Sequence, residues 1–460
     1  MRRIRRALLI AAAILVVGTV ATRLMGWEVP RGVGRRVFFG GILMASLAWW
    51  TLADEAVRAM LHRRRWMPVA RGGLAIFILV FCAPFTGMVL LGRIPSMGTW
   101  PIFFSSLFLI WHMTLFVMAP IAVVIGYLIW WGWALVGRSG SKKERPVVGM
   151  TGSPMSSSAQ AGQQHSTGAP NRREFLKAAG LMTPVITTAA LGARYGMQSG
   201  KFAVNKYELP APWLPQRLRG LTITQISDLH LGRLYRPQML PRLIDGVNQL
   251  KSDIVVVTGD IVDVSNDMLP AAIGAFAQME ARRGLYICLG NHDWFDSRDE
   301  LISGLDDMRW NLLLDRRMHV GIDGERITMM GLDWGNSDVT PWGGGHRQRT
   351  ERALTGYDRE RDGPVIALAH HPHAFDPLSD HGVKLTLSGH THGGQLMLAP
   401  PRIDGQGDDT RDIGVGGMMF RYLRGFYQRG ENTLFVNSGV GNWFPIRWNA
   451  PAEIVQIRLV

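Results

Sequence analysis

The chain has 460 residues, with 50 Lys and Arg against 36 Asp and Glu, a formal net charge of +14 at pH 7. The first 198 residues hold 22 Lys and Arg against 5 Asp and Glu, and the remainder is slightly acidic. A basic nucleic-acid groove is therefore not indicated in the second half. With only Cys82 and Cys288, a disulfide scaffold is excluded.

Four apolar stretches come first, over residues 7–25, 37–53, 73–91 and within 102–136, each reaching the ~17–25 residues a membrane span needs. Trp49, Trp50, Trp100, Trp130, Trp131 and Trp133 fall near their ends, where an interfacial aromatic belt sits. Arg2, Arg3, Arg5 and Arg6, then Arg58, Arg63, Arg64, Arg65 and Arg71, then Arg138, Lys142, Lys143 and Arg145 put the intervening segments alternately inside. Arg31, Arg35 and Arg36 run against that rule.

These features predict a transmembrane domain of about four helices over residues 1–137. A flexible linker rich in Ser, Gly, Gln and Pro follows over 138–173. It ends in Asn171-Arg172-Arg173-Glu174-Phe175-Leu176-Lys177, which looks like a twin-arginine export signal, and a moderately apolar signal or anchor helix follows within 174–198. The expected partners are the membrane and the twin-arginine export machinery. The expected location is a bacterial inner membrane, crossed several times, with residues 199–460 on the extracytoplasmic side.

Five polar motifs lie in those last residues: Asp228-Leu-His230, Gly259-Asp260, Gly290-Asn291-His292-Asp293, His370-His371-Pro372 and Gly389-His390-Thr391-His392. Short β-branched or apolar runs over 221–226, 253–258, 284–289, 364–369 and 383–387 precede them and read as buried strands. Loops after strands are where α/β sheets gather ligand groups, so the motifs are expected to converge. Carboxylates, imidazoles and an amide without thiolate suit Mn, Fe or Zn. Cys288 sits among apolar strand residues and reads as core.

The motif series resembles the calcineurin-like metallophosphoesterase superfamily, most closely a bacterial membrane-associated, twin-arginine-exported branch. The branch resemblance extends to Gly425-Phe-Tyr427, Val436-Asn-Ser-Gly-Val-Gly441, Pro445-Ile-Arg447 and Pro451-Ala-Glu-Ile454. It implies an α/β fold, a four-layer β-sandwich flanked by helices, preceded here by the membrane helices. It also implies a binuclear site for two divalent ions (Mn, Fe or Zn), with Asp228, His230 and His392 on one, Asn291, His370 and His390 on the other, and Asp260 bridging. A metal-bound hydroxide would attack phosphorus, His292 would contact the phosphoryl oxygens or protonate the leaving group, and Asp293 would orient His292. His370 is favoured over His371 as ligand because it comes first after the strand; Asp263 either supports the metal shell or caps a loop.

The function expected is a membrane-anchored phosphohydrolase, a phosphodiesterase or pyrophosphohydrolase. A superfamily nuclease and a non-catalytic membrane sensor with a metal-binding domain are the alternatives. Aromatic and apolar residues over 414–427, interleaved with Arg421 and Arg424, read either as a surface for a lipid-linked or cell-envelope phosphoester or as core of the sandwich.

Overall fold

The computed structural model describes residues 186–306, 311–322, 324–334, 345–397 and 420–460, with short helical pieces between 40 and 111. The chain divides into two compact units, one of residues 1–96 and 110–190, the other of 97–109 and 191–460.

In the first unit the expectation of a multi-pass membrane protein has to be corrected. Among the described residues no helix is long and apolar enough to cross a membrane. The helical residues of the second apolar stretch run directly into Asp54, Glu55 and Arg58, and Asp54 is buried in ion pairs with Arg58 at 2.7 Å and Arg71 at 2.6 Å. Such a charge cluster is costly in hydrocarbon. The inner-membrane location and the extracytoplasmic orientation fall with it. The first stretch, most of the third and fourth, the linker and the twin-arginine motif lie outside the described residues.

The second unit carries two six-stranded mixed sheets. The strands of the first are β1 (Ala203–Leu209), β2 (Thr222–Ile226), β3 (Ile254–Thr258), β4 (Leu285–Cys288), β5 (Asn311–Leu312) and β12 (Glu453–Leu459), in the order β1-β12-β2-β3-β4-β5. The second, in the order β10-β11-β9-β8-β7-β6, contains β6 (Arg316–Ile322), β7 (Glu325–Gly331), β8 (Val365–Leu368), β9 (Leu385–Ser388), β10 (Gly425–Arg429) and β11 (Asn432–Val436).

Strand alternation builds the layers. On β3, Ile254 and Val256 enter the core between the sheets, while Val255 and Val257 face the helices Leu240–Asn248 and Leu269–Phe276. On β8, Ile366 and Leu368 meet that same inter-sheet core, and Val365 and Ala367 pack with Ala353 and Leu378 of the helices His346–Leu354 and Phe375–Asp380. The buried thiol of Cys288 belongs to the inter-sheet core. A cavity there has no route to relax, so Leu387→Ala, at a fully buried position, should cost about 2–5 kcal/mol. Urea unfolding of the full chain reads this directly; a loss below about 1 kcal/mol would contradict the packing.

The pairs β2/β3 and β3/β4 are parallel, as is β8/β9. Their carboxyl ends therefore share an edge within each sheet, and each motif begins at or just past one of these ends.

Candidate metal centre

Backbone conformation aims the side chains. Asp228, His230, Asp260, His390 and His392 all have positive φ, at 52°, 45°, 53°, 71° and 51°. Non-glycine residues seldom adopt this region, and each such residue costs of order 1–3 kcal/mol that the surrounding structure must offset. Five in one site mark a constellation that the fold enforces.

The constellation has two groups. In the first, His230 Nε2 lies 3.0 Å from His392 Nε2, and His392 Nε2 lies 3.3 Å from Asp228 Oδ1. In the second, His370 Nε2 lies 3.2 Å from His390 Nδ1 and 3.2 Å from Asn291 Oδ1. Asp260 joins them, because its Oδ2 is 3.3 Å from both His230 Nε2 and His370 Nε2. Imidazole nitrogens facing one another and a shared carboxylate form a donor set that fits divalent cations in both groups.

Ring orientation is fixed from behind. His370 Nδ1 donates to the Thr258 carbonyl at 2.7 Å, which leaves Nε2 as the free lone pair toward Asp260. His371 is not brought into the group: its Nδ1 accepts from the His373 amide, its Nε2 is buried without a hydrogen-bond partner, and its ring stacks on His390 at 4.7 Å. Asp228 couples the two groups by accepting from Ser227 Oγ at 2.5 Å and from the His390 amide at 3.1 Å.

Asp293 acts elsewhere than expected. Its carboxylate accepts the main-chain N–H groups of Asp260, Ile261, Val262 and Gly290, so it shapes the loop that carries Asp260. The partner of the His292 ring is Asp263, whose main-chain carbonyl receives Nδ1 at 2.5 Å. Asp263 is itself held by Arg233 through two bonds of 2.5 and 2.9 Å. His292 Nε2 is thereby left for other work, and its side chain is 15% exposed where that of His230 is 1%.

Burial pushes Asp228 up to about 6 and His230 down to about 3. At His370 burial opposes the charge, yet the Asp260 carboxylate prevails and lifts the imidazole to about 9. His292 is raised in the same way, by Asp260 and Asp263 against the burial penalty.

Close approach explains Gly389. A Cβ there would stand 2.0 Å from Ser227 Oγ and 2.3 Å from Asp228 Oδ2. Gly389→Ala should therefore displace Asp228 and reduce bound metal at least about tenfold, the scale of a disturbed supporting shell. Metal analysis of the full chain is the check, and wild-type content would refute the packing argument.

Sequence reasoning missed Trp334 and Phe295. The Trp334 ring lies 5.2 Å from that of His390 and 5.6 Å from that of His370, and Phe295 packs on His292 at 4.4 Å while 57% exposed. The proposed lipid-facing stretch divides. Arg424 is buried and paired with Glu453 at 2.7 Å, and Phe426 packs against the inter-sheet core, whereas Arg421 is exposed; residues 414–419 lie outside the described ones.

Residues 221–394 match the family model for calcineurin-like phosphoesterases. A transmembrane protein with metallophosphoesterase domain from Danio rerio is 32% identical, over 60% of this chain and 61% of its own length. The model and the relatives together support the calcineurin-like metallophosphoesterase superfamily. The uncharacterized metallophosphoesterase YkuE of Bacillus subtilis is 28% identical over 63% of this chain and 97% of its own. UDP-2,3-diacylglucosamine pyrophosphatase LpxG of Chlamydia trachomatis is 28% identical over 52% and 84%. The chain spans about three fifths of the length of the first relatives it matches.

Proposed function

We propose that residues 199–460 form a binuclear phosphoester hydrolase that acts on a phosphodiester or a pyrophosphate. The observation that carries this reading is the position of Asp260 Oδ2, equidistant at 3.3 Å from a histidine of each group. Asp228, His230 and His392 hold one divalent cation, Asn291, His370 and His390 another, and Asp260 both. When bound, the cations supply Lewis-acid polarisation of the phosphoryl group and lower the pKa of the attacking water.

The chain's own contribution is orientation and a proton. His292, fixed through Nδ1, presents Nε2 toward the departing oxygen and is kept protonated by its raised pKa. Asp293 keeps the Asp260 loop closed on the site through four amide bonds. A pyrophosphate substrate bearing a lipid is supported by the likeness to a relative named as a UDP-2,3-diacylglucosamine pyrophosphatase.

The test is hydrolysis by the full chain, stripped of metal and resupplied with Mn, Zn or Fe, of bis(p-nitrophenyl) phosphate, a pyrophosphate diester and glycolipid phosphates. Turnover of the diester or the pyrophosphate only with metal is expected. Cleavage of soluble esters alone would discard the lipid-linked substrate, and no metal-dependent turnover on any of them would discard the enzyme.

A further inference from the structure

Arg447 is 6% exposed, and every donor it has is engaged. Nε donates to Asn442 Oδ1 at 2.5 Å, and Nη1 to the carbonyls of His392 at 3.3 Å and Ala450 at 3.1 Å. Nη2 reaches His392 Nδ1 at 3.0 Å, the Gly441 carbonyl at 2.6 Å and the Gly439 carbonyl at 3.4 Å. None of these acceptors is a carboxylate. Arg424 nearby solves the same burial problem with a direct partner, Glu453. A buried guanidinium held by neutral acceptors is expensive as a structural device, so its geometry calls for a reason.

That geometry converges on one metal group. A guanidinium only donates, so the nitrogen facing it must be the accepting Nδ1. A flipped His392 ring would turn a C–H against the donor. Nε2 is thereby pinned toward Asp228 Oδ1 at 3.3 Å and His230 Nε2 at 3.0 Å. The same cation grips the turn over 439–441, which braces Asp228. The Gly441 amide donates to the Asp228 carbonyl at 2.8 Å, and Gly439, at φ 75°, lies so close that a Cβ would stand 2.7 Å from Asp228 Cβ. The hydrogen-bonding guanidinium atoms reach no member of the Asp260, His370 and His390 group.

We infer that Arg447 is a positioning residue for one of the two metal sites, holding His392 and the Asp228 loop in register while leaving the other site untouched. The inference rests on the binuclear reading given above.

The full-length protein, stripped of metal, is titrated with Zn by equilibrium dialysis, as wild type, Arg447→Met, Arg447→Lys, His392→Ala and the Met/Ala double variant. Two equivalents bound by wild type uphold the binuclear reading, and fewer would sink that reading before the arginine is judged. Arg447→Met should weaken one equivalent by about 10–100-fold, the range for lost supporting contacts, and leave the other unchanged. Arg447→Lys, which keeps the charge but lacks the planar fork, should fall between the two and serves as the readout if the methionine variant does not accumulate folded. In the double variant the Arg447→Met effect should vanish, because its target is already gone. Equal weakening of both equivalents, wild-type affinity in folded variants, or an additive double variant would each overturn the inference.

Discussion

Asp260→Asn should remove both metals and lower metal-dependent hydrolysis by about three orders of magnitude, equivalent to about 4 kcal/mol. The substitution keeps the shape and one oxygen but deletes the charge that faces His230 and His370 alike. It also removes the carboxylate that lifts His370 and His292, so the imidazoles lose their common counter-charge together. Other sites in the centre serve one cation; this one serves two. Metal analysis on the dialysed full chain should find the two equivalents lost in concert, and loss of one alone would mean that Asp260 does not bridge.

His292→Ala should leave the metal content at the wild-type level and lower kcat by about 10²–10⁴-fold, the usual worth of a positioned acid or base. The side chain belongs to neither of the two proposed ligand sets, and its ring is fixed through the Asp263 carbonyl. Its pKa is raised, so the protonated form persists to higher pH than an ordinary imidazole allows. An acid is active below its pKa and lost as pH rises through it. The wild-type kcat should accordingly decline on the alkaline side, and that limb should be missing from His292→Ala. An unchanged pH profile in the variant would take the proton-donor role away from His292.

The strands that carry the motifs were legible because their apolar runs are short and end in glycine or a polar residue, as at Gly259 and Gly389. Convergence followed from topology, since parallel neighbours put their carboxyl ends on one edge. Roles set by main-chain groups were not legible. Nothing in the motif Gly-Asn-His-Asp says that the last carboxylate will serve four amides, nor that a carbonyl 29 positions away in sequence will orient the histidine. Arg447 was visible only as part of a terminal pattern, because its partners come from a turn and a ring folded against it. Apolar length alone misled at residues 37–53, where the helical residues continue into a buried Asp54 with two arginine partners.

The account depends on two cations acting together across Asp260. The most direct test is to add Zn or Mn stepwise to the metal-free full chain and follow bis(p-nitrophenyl) phosphate hydrolysis against bound metal. Activity that emerges as the second equivalent binds is the predicted result. Full activity with one equivalent, or with none, would contradict it.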